Sequence, residues 1–225
     1  KSWGDELMSN FNDHFTVHPH YSGSPLEVRA ISKAGAKTKL FYPTDYPNPR
    51  EMQEAFYSYA MNLNQQGYNC YTTMNPIKTG FIAPGGKGTT KDGIAKRTKV
   101  MVDLDRKSLE SKKYPATDDE LRRADDLINR ISDYAMEIGW GRPHKVMSGN
   151  GYHLYFALSD LENDYESDRL IKSLLEILAQ KFDTEEFGID TLVYDAARIT
   201  KIIGTVARKG SETQERPYRT VELIR

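Results

Sequence analysis

Lys99-Val100-Met101-Val102-Asp103-Leu104-Asp105, KVMVDLD, is the stretch whose reading decides the fold. Val100, Val102 and Leu104 alternate with Met101, Asp103 and Asp105 at the period of two that a pleated strand requires. Asp103 and Asp105 therefore share one face, with Cα atoms roughly 6.6 Å apart by strand rise. Two carboxylates fixed side by side repel unless a cation sits between them. Hard divalent ions such as Mg²⁺ or Mn²⁺ prefer such oxygen ligands. Aspartates at a strand end running into a turn are common for other reasons, so D-x-D alone carries little weight. The rest of the chain has to supply the context.

The 225 residues suit one large domain or two small lobes. With 38% hydrophobic and 28% charged residues, the composition is that of a soluble protein, read as cytoplasmic. No run approaches the ~20 apolar residues of a membrane span, so no membrane partner is expected. The single cysteine, Cys70, excludes an internal disulfide and a multi-cysteine zinc ribbon, and points to a reducing compartment without zinc. Basic and acidic residues, 31 against 32, balance overall, so any polyanion surface must be local. Lys1 in place of Met and the abrupt end at Arg225 suggest a domain excised from a longer protein.

Upstream of the Asp strand, residues 5–15 fit a short helix, and His18-Pro-His-Tyr21 a loop, because Pro19 cannot donate to a strand ladder. Leu26–Ser32 and Lys37–Thr44 read as a hairpin around Lys33–Ala36. Pro49 opens a helix with an apolar stripe of Met52, Ala55, Phe56, Tyr59, Ala60 and Leu63, and Gly67 closes it. Tyr68–Met74 is a further strand. Residues 78–98 combine five glycines with Lys78, Lys87, Lys91, Lys96 and Arg97. Such a stretch is either a mobile surface loop or a basic arm touching phosphates, with Lys87, Lys96 and Arg97 as its template or primer contacts. It contains no Walker A pattern.

Downstream, Thr117-Asp-Asp-Glu120 forms a capping box. The helix behind it carries Leu121, Ala124, Ile128, Ile131, Ala135 and Ile138 on one face. Lys145–Ser148 and Tyr152–Ser159 read as strands flanking the turn Ser148-Gly-Asn-Gly151. A second helix from about Asn163 is expected to bury Leu170, Ile171, Leu174, Leu175 and Leu178. From Ile189 onward short strands carry Arg198, Lys201, Arg208, Lys209, Arg216 and Arg219, a basic tail that the net charge conceals. Mixed elements without strict alternation predict an α+β architecture in two lobes.

Four features combine into one chemistry. Asp103, Asp105 and Asp190 are three carboxylates suited to two divalent ions, which would bridge a nucleoside triphosphate and activate a 3′-hydroxyl. The glycines of Ser148-Gly-Asn-Gly-Tyr-His153 let backbone N–H groups approach an anion. His153, Arg198 and Lys201 could neutralise the triphosphate.

The order VDLD, then SGNGYHLYF, then Ile189-Asp190 followed by Asp195, Arg198 and a Gly-Thr-x-x-Arg-Lys-Gly segment resembles the catalytic core of the archaeo-eukaryotic primase superfamily. The motifs stand in family order across residues 99–210. The strand ending in Asn75-Pro76 and the closing Glu215-Arg-Pro-Tyr-Arg219 resemble bacterial, plasmid and phage members. The resemblance implies an α/β N-terminal lobe, about residues 1–98, and an RRM-like lobe, about 99–225, forming one catalytic domain. It implies Asp103, Asp105 and Asp190 as catalytic ligands of two Mg²⁺ or Mn²⁺ ions, and His153, Ser148 and the Gly149 backbone as nucleotide contacts. Arg198, Lys201 and, more loosely, Lys209 match basic residues facing the triphosphate. Ile202-Ile203-Gly204-Thr205 stands where many relatives have Leu-Pro-Gly-Thr, and Lys201 replaces a frequent Arg.

The function so implied is template-dependent primer synthesis and extension from NTPs or dNTPs on single-stranded DNA. Further domains, a helicase or CRISPR machinery would be partners. Two other readings stand beside it. A D-x-D nucleotide-sugar glycosyltransferase accounts for Asp103 and Asp105 only. A non-catalytic RRM-like nucleic-acid-binding module would make the carboxylates structural, although no RNP aromatic signature is visible.

Overall fold

The computed structural model describes residues 3–225. The chain divides into two compact units. One comprises Lys1–Thr98, Asp160–Asn163 and Asp195–Thr205, and the other Lys99–Ser159, Asp164–Tyr194 and Val206–Arg225.

In the first unit α1 (Trp3–Val17) precedes the hairpin β1 (Leu26–Ser32) and β2 (Gly35–Phe41), then α2 (Pro49–Gln65) and β3 (Asn69–Thr73). The hairpin closes through Ser32 opposite Gly35, a tighter turn than the sequence suggests. The second strand stops at Phe41, before Pro43 starts a 3₁₀ turn. With β8 (Ile199–Lys201) these strands form a sheet of order β2-β1-β3-β8, every neighbouring pair antiparallel. The apolar stripe of α2 sits on it: Met52, Phe56, Tyr57, Ala60 and Leu63 bury against Val28, Ala30, Phe41 and Cys70, with Phe11 of α1 and Ile202 completing the core. Asn48 caps α2 by accepting from the Glu51 N–H, and Pro49 occupies the first turn, where its missing N–H costs nothing.

The second unit is a sheet of order β11-β5-β6-β4-β7, built from β4 (Arg97–Arg106), β5 (His144–Met147), β6 (Tyr152–Leu161), β7 (Phe187–Ile189) and β11 (Glu222–Ile224). A two-stranded ribbon pairs β9 (Val206–Ala207) with β10 (Arg219–Thr220). Helices α3 (Asp118–Glu137) and α4 (Tyr165–Phe182) belong to this unit. The Thr117–Glu120 capping box forms in full. Strand alternation splits the sheet's two faces by chemistry. Val100, Val102, Leu104, Leu154 and Phe156 share one. Lys145, on that face opposite Leu154, reaches Asp125 and Asn129 of α3, while Val100 and Phe156 line a cavity of about 240 Å³ with Trp140 and Leu174 of α4. This is the helix-covered face. Leu170 of α4 is 50% exposed, contrary to expectation, because α4 turns Ile171, Leu175 and Leu178 inward instead.

Candidate functional site

The other face of the second sheet carries the polar groups. Asp103 and Asp105 lie two residues apart on β4, as the alternation predicts. The β4–β7 register sets Leu104 opposite Ile189 and Asp105 opposite Gly188, and the Asp190 N–H donates to the Asp103 carbonyl at 2.9 Å. Asp190 therefore stands across from Asp103 just past the end of β7, where its Oδ1 accepts from the Leu192 N–H at 2.9 Å. On β6, the strand on the other side of β4, His153 Nε2 lies 3.3 Å from Asp103 Oδ1 and His153 Nδ1 lies 2.9 Å from the Tyr155 hydroxyl. Asp103 and His153 are buried, at 8% and 6% exposure. The strand pairing thus sets His153 beside Asp103 and the Asp190 backbone across from it, from three separate segments of the chain.

The donor chemistry fits hard divalent cations: aspartates as the candidate ligands, with no cysteine in this unit to favour a softer ion. As placed, the His, Cys, Asp and Glu side chains of the described residues form no group of three that encloses an ion. Holding one would require the carboxylates to turn toward each other, a rotamer change open to a short side chain.

The same face carries a second buried charge. Lys99, four residues before Asp103, is 6% exposed, and burial pushes its amine down to about 7. His144, opposite Tyr155 across β5–β6, is lowered by burial and then by the Lys99 charge.

The turn 148–151 is held from every side. The Ser148 N–H donates to the Gly151 carbonyl and the Gly149 N–H to Met147 Sδ. A Cβ on Gly151 would overlap the Leu104 carbonyl oxygen, and one on Gly149, whose φ is +98°, would overlap the Ala207 side chain of β9. At Gly151 backbone meets backbone, and at Gly149 backbone meets the Ala207 methyl. Asn150, 5% exposed, accepts from the Ala116 N–H at 2.9 Å, and its Nδ2 has no hydrogen-bond partner. Arg219 grips the same residue from its other side, donating to the Ala116 carbonyl at 2.7 Å and to Asp118. Lys209 is exposed, two residues beyond the Ala207 that Gly149 touches.

Arg216 and Arg219 do not form the open basic tail their spacing suggests. Glu120 accepts from Arg106 at 2.8 Å, from Arg216 at 2.8 Å and from its own capping Thr117 N–H. The capping-box glutamate thus ties the end of β4 to the C-terminal segment. Sequence reading missed this hub and missed Asn150, although the ‑Glu120- of a capping box and an Asn between two glycines were both visible signals.

Arg198 and Lys201 belong to the first unit. Lys201 of β8 is opposite Tyr71 of β3, which is in turn opposite Arg29 of β1, so Arg29, Tyr71 and Lys201 make a row across the sheet face away from α2. The Arg198 carbonyl accepts from Met74, and the Arg198 charge partly offsets the rise that burial gives the Tyr71 hydroxyl. Behind β8, the Ile203 N–H points to His14 Nδ1 at 3.4 Å and the Ile203 carbonyl accepts from Tyr57 at 2.8 Å. A proline at 203 would have no N–H to give, so this departure from Leu-Pro-Gly-Thr is matched by a histidine on α1.

The predicted contacts of residues 78–98 fare differently. Lys87 is exposed. Lys96 is paired with Asp160 and lies over the Tyr21 ring. Arg97 is not a loop residue: β4 begins there, and it is 1% exposed. A side chain so buried offers nothing to a strand of nucleic acid, which corrects its place among the basic contacts. The stretch itself is tied down by Glu27, fully buried, which accepts from Arg29 and from the Thr89 N–H at 2.6 Å.

No protein-family model matches the chain, and no curated protein sequence does. Among solved structures it is similar to the primase RepB', over 97% of this chain and 56% of that one, with a TM-score of 0.54 and 13% identity. It is similar also to the polymerase domain of Ligase D from Mycobacterium tuberculosis in complex with DNA, over 96% of this chain and 80% of that one, with a TM-score of 0.52 and 13% identity. The chain spans little more than half the length of the RepB' structure. Both are archaeo-eukaryotic primase-type folds, and this chain has that α+β fold.

Proposed function

We propose that this chain is a primase-polymerase-type nucleotidyltransferase that makes and extends strands on single-stranded DNA from NTPs or dNTPs. The observation that carries the reading is that Asp103 and Asp105 share one sheet face, with His153 against Asp103, the Asp190 backbone paired to Asp103 and the 148–151 turn packed on β4. A D-x-D glycosyltransferase has no use for Asp190 or the turn, and a structural role for the carboxylates does not explain why like charges are gathered on one face.

In this reading Asp103, Asp105 and Asp190 would hold Mg²⁺ or Mn²⁺. Such ions, when bound, neutralise triphosphate charge and favour the alkoxide of an attacking 3′-hydroxyl. The chain's own residues set the rest. The Ser148 and Gly149 N–H groups are used inside the turn, so the Asn150 and Gly151 N–H groups are the ones this reading offers to a phosphate, in a turn held by β9 against Gly149 and β4 against Gly151. His153, oriented by Tyr155, offers a ring nitrogen beside Asp103. Ser148, Arg198, Lys201 and Lys209 are the further nucleotide contacts, with Lys201 serving as a point charge without the fork of an arginine. Lys87 remains a template contact in this proposal.

The test is strand synthesis on single-stranded DNA, primed and unprimed, with NTPs or dNTPs and either ion, beside Asp103→Ala/Asp105→Ala. Products from wild type alone establish synthesis at these carboxylates, and products only with primer identify an extending polymerase. Silence of wild type in both formats, despite ion-dependent nucleotide binding, would sink the reading in favour of a binding module.

A further inference from the structure

The cations expected to meet nucleic acid are largely committed elsewhere: Arg216 and Arg219 to Glu120 and Asp118, Lys96 to Asp160, Arg97 to the interior. An open basic strip lies instead on the first unit, at the edge of its sheet. Between Val28 and Thr44 the chain has Arg29, Lys33, Lys37 and Lys39 and no acid. Arg29 is held by Glu27, whereas Lys33, Lys37 and Lys39 are exposed and make no ion pair among the described residues. β2 is the edge strand, so these lysines face no further strand.

Edge lysines alone can be explained as a guard against strand pairing. The aromatic rings beneath them are the second observation. Lys37 Nζ lies 4.8 Å from the centre of the Tyr68 ring. Lys39 Nζ lies 4.7 Å from that of Phe41 and 5.0 Å from that of Tyr59. Phe41 in turn stacks with Tyr46 at 6.4 Å. Tyr46, Tyr59 and Tyr68 are partly exposed. Phe41 itself is buried, so the line along β2 is one of ammonium groups over the partly exposed Tyr59 and Tyr68 rings. From Lys37 to Phe41 it runs roughly 13 Å by strand rise, the length of two to three nucleotides. Lysines that contact phosphate beside rings that accept stacked bases are the two elements of sequence-tolerant single-strand binding.

We propose that the β2 edge, Lys33, Lys37 and Lys39 with Tyr59 and Tyr68, is a binding track for single-stranded DNA. The choice of occupant rests on the strand-synthesis reading above. The strip recruits template by its backbone and does not read sequence.

The experiment is fluorescence anisotropy of a labelled oligothymidylate across a salt series, with wild type, Lys33→Ala/Lys37→Ala/Lys39→Ala, and the same three positions changed to Arg. Each single-strand phosphate contact contributes about 0.7 to the salt slope, so the alanine variant is expected to lose roughly 2 from it and to bind at least tenfold more weakly at low salt. The arginine variant is expected to restore both. An unchanged slope in the alanine variant overturns the proposal. So does loss of binding to phosphatidylserine vesicles with oligothymidylate binding intact, which would assign the strip to a membrane surface. The two readings separate cleanly. Wild type that extends primers at Asp103 while the slope stays unchanged would reject the track alone. A lysine-dependent slope in a wild type that synthesises nothing would reject the enzyme and keep the track.

Discussion

Two glycine-rich stretches of this chain look alike as sequence and behave oppositely as structure. Ser148-Gly-Asn-Gly151 and the run from Gly80 to Gly88 both read as glycine-rich loops able to approach an anion. In the first, side-chain atoms at Gly149 and Gly151 would strike Ala207 and the Leu104 carbonyl, so the glycines are required by what surrounds them. In the second, Gly80, Gly85 and Gly86 meet nothing within 4 Å and only their positive φ values ask for glycine, while Gly88, at the anchored end, lies against the Arg29 guanidinium. The difference is one of neighbours. The 148–151 turn links two strands in the middle of a sheet and is clasped by Ala116, Ala207 and Arg219, while the tip at 85–86 projects from its anchor at Thr89. A loop gripped this way keeps one backbone arrangement, two of its N–H groups bonded within the turn. The open loop suits contacts whose geometry need not be fixed.

The sharpest way to break this contrast is Gly151→Ala. Its Cβ would drive into β4 backbone, so the expected cost is about 3 kcal/mol, or roughly 6–12 °C in thermal midpoint, with nucleotide binding falling at least tenfold in calorimetry. A variant that folds and binds as wild type would show that the turn has slack. Asn150→Ala comes next. It strands the buried Ala116 N–H, which costs about 1–3 kcal/mol, and hydrogen exchange should show faster exchange at residues 148–151 and 116 while residues 80–88 are unaffected.

Acid should loosen the clasped region through Glu120. Burial alone would raise its carboxyl, but the Thr117 N–H, Arg216 and Arg106 outweigh burial and hold it below the usual 4.5. A carboxyl lowered on folding contributes stability that is complete above its unfolded value and is lost as pH falls through the folded one. Urea unfolding of wild type should therefore weaken as pH drops below about 4.5, and Glu120→Gln should lower stability at neutral pH and flatten that acid limb. The smallest effect belongs to the open stretch. Gly85→Ala should cost about 1 kcal/mol, from its φ of +62° alone, and leave nucleotide binding unchanged in the same calorimetric assay.

Much of the site was legible before any coordinates. The alternation of KVMVDLD put Asp103 and Asp105 on one face, and the motif order singled out Asp190 and His153. What the alternation could not tell is which strands neighbour β4. The sheet order does that, setting β7 on one side and β6 on the other, and so bringing His153 against Asp103 and the Asp190 backbone across from it. The charges were harder to read. Arg97, Arg216 and Arg219 count as basic residues in any sequence window, yet they are buried or paired, whereas the unremarked Lys33, Lys37 and Lys39 stand open.

By itself, then, the sequence determined the local quantities: strand period, helix stripe, capping box, and which residue types are available for chemistry. Each depends on positions a few residues apart, within reach of backbone geometry and short-range side-chain contact. Only the tertiary structure decided which acid pairs with which arginine, which glycine meets a neighbouring backbone and which lysines stay in water. Those outcomes depend on partners a hundred residues away, such as Glu120 for Arg216 and Ala116 for Arg219, and no local period encodes them.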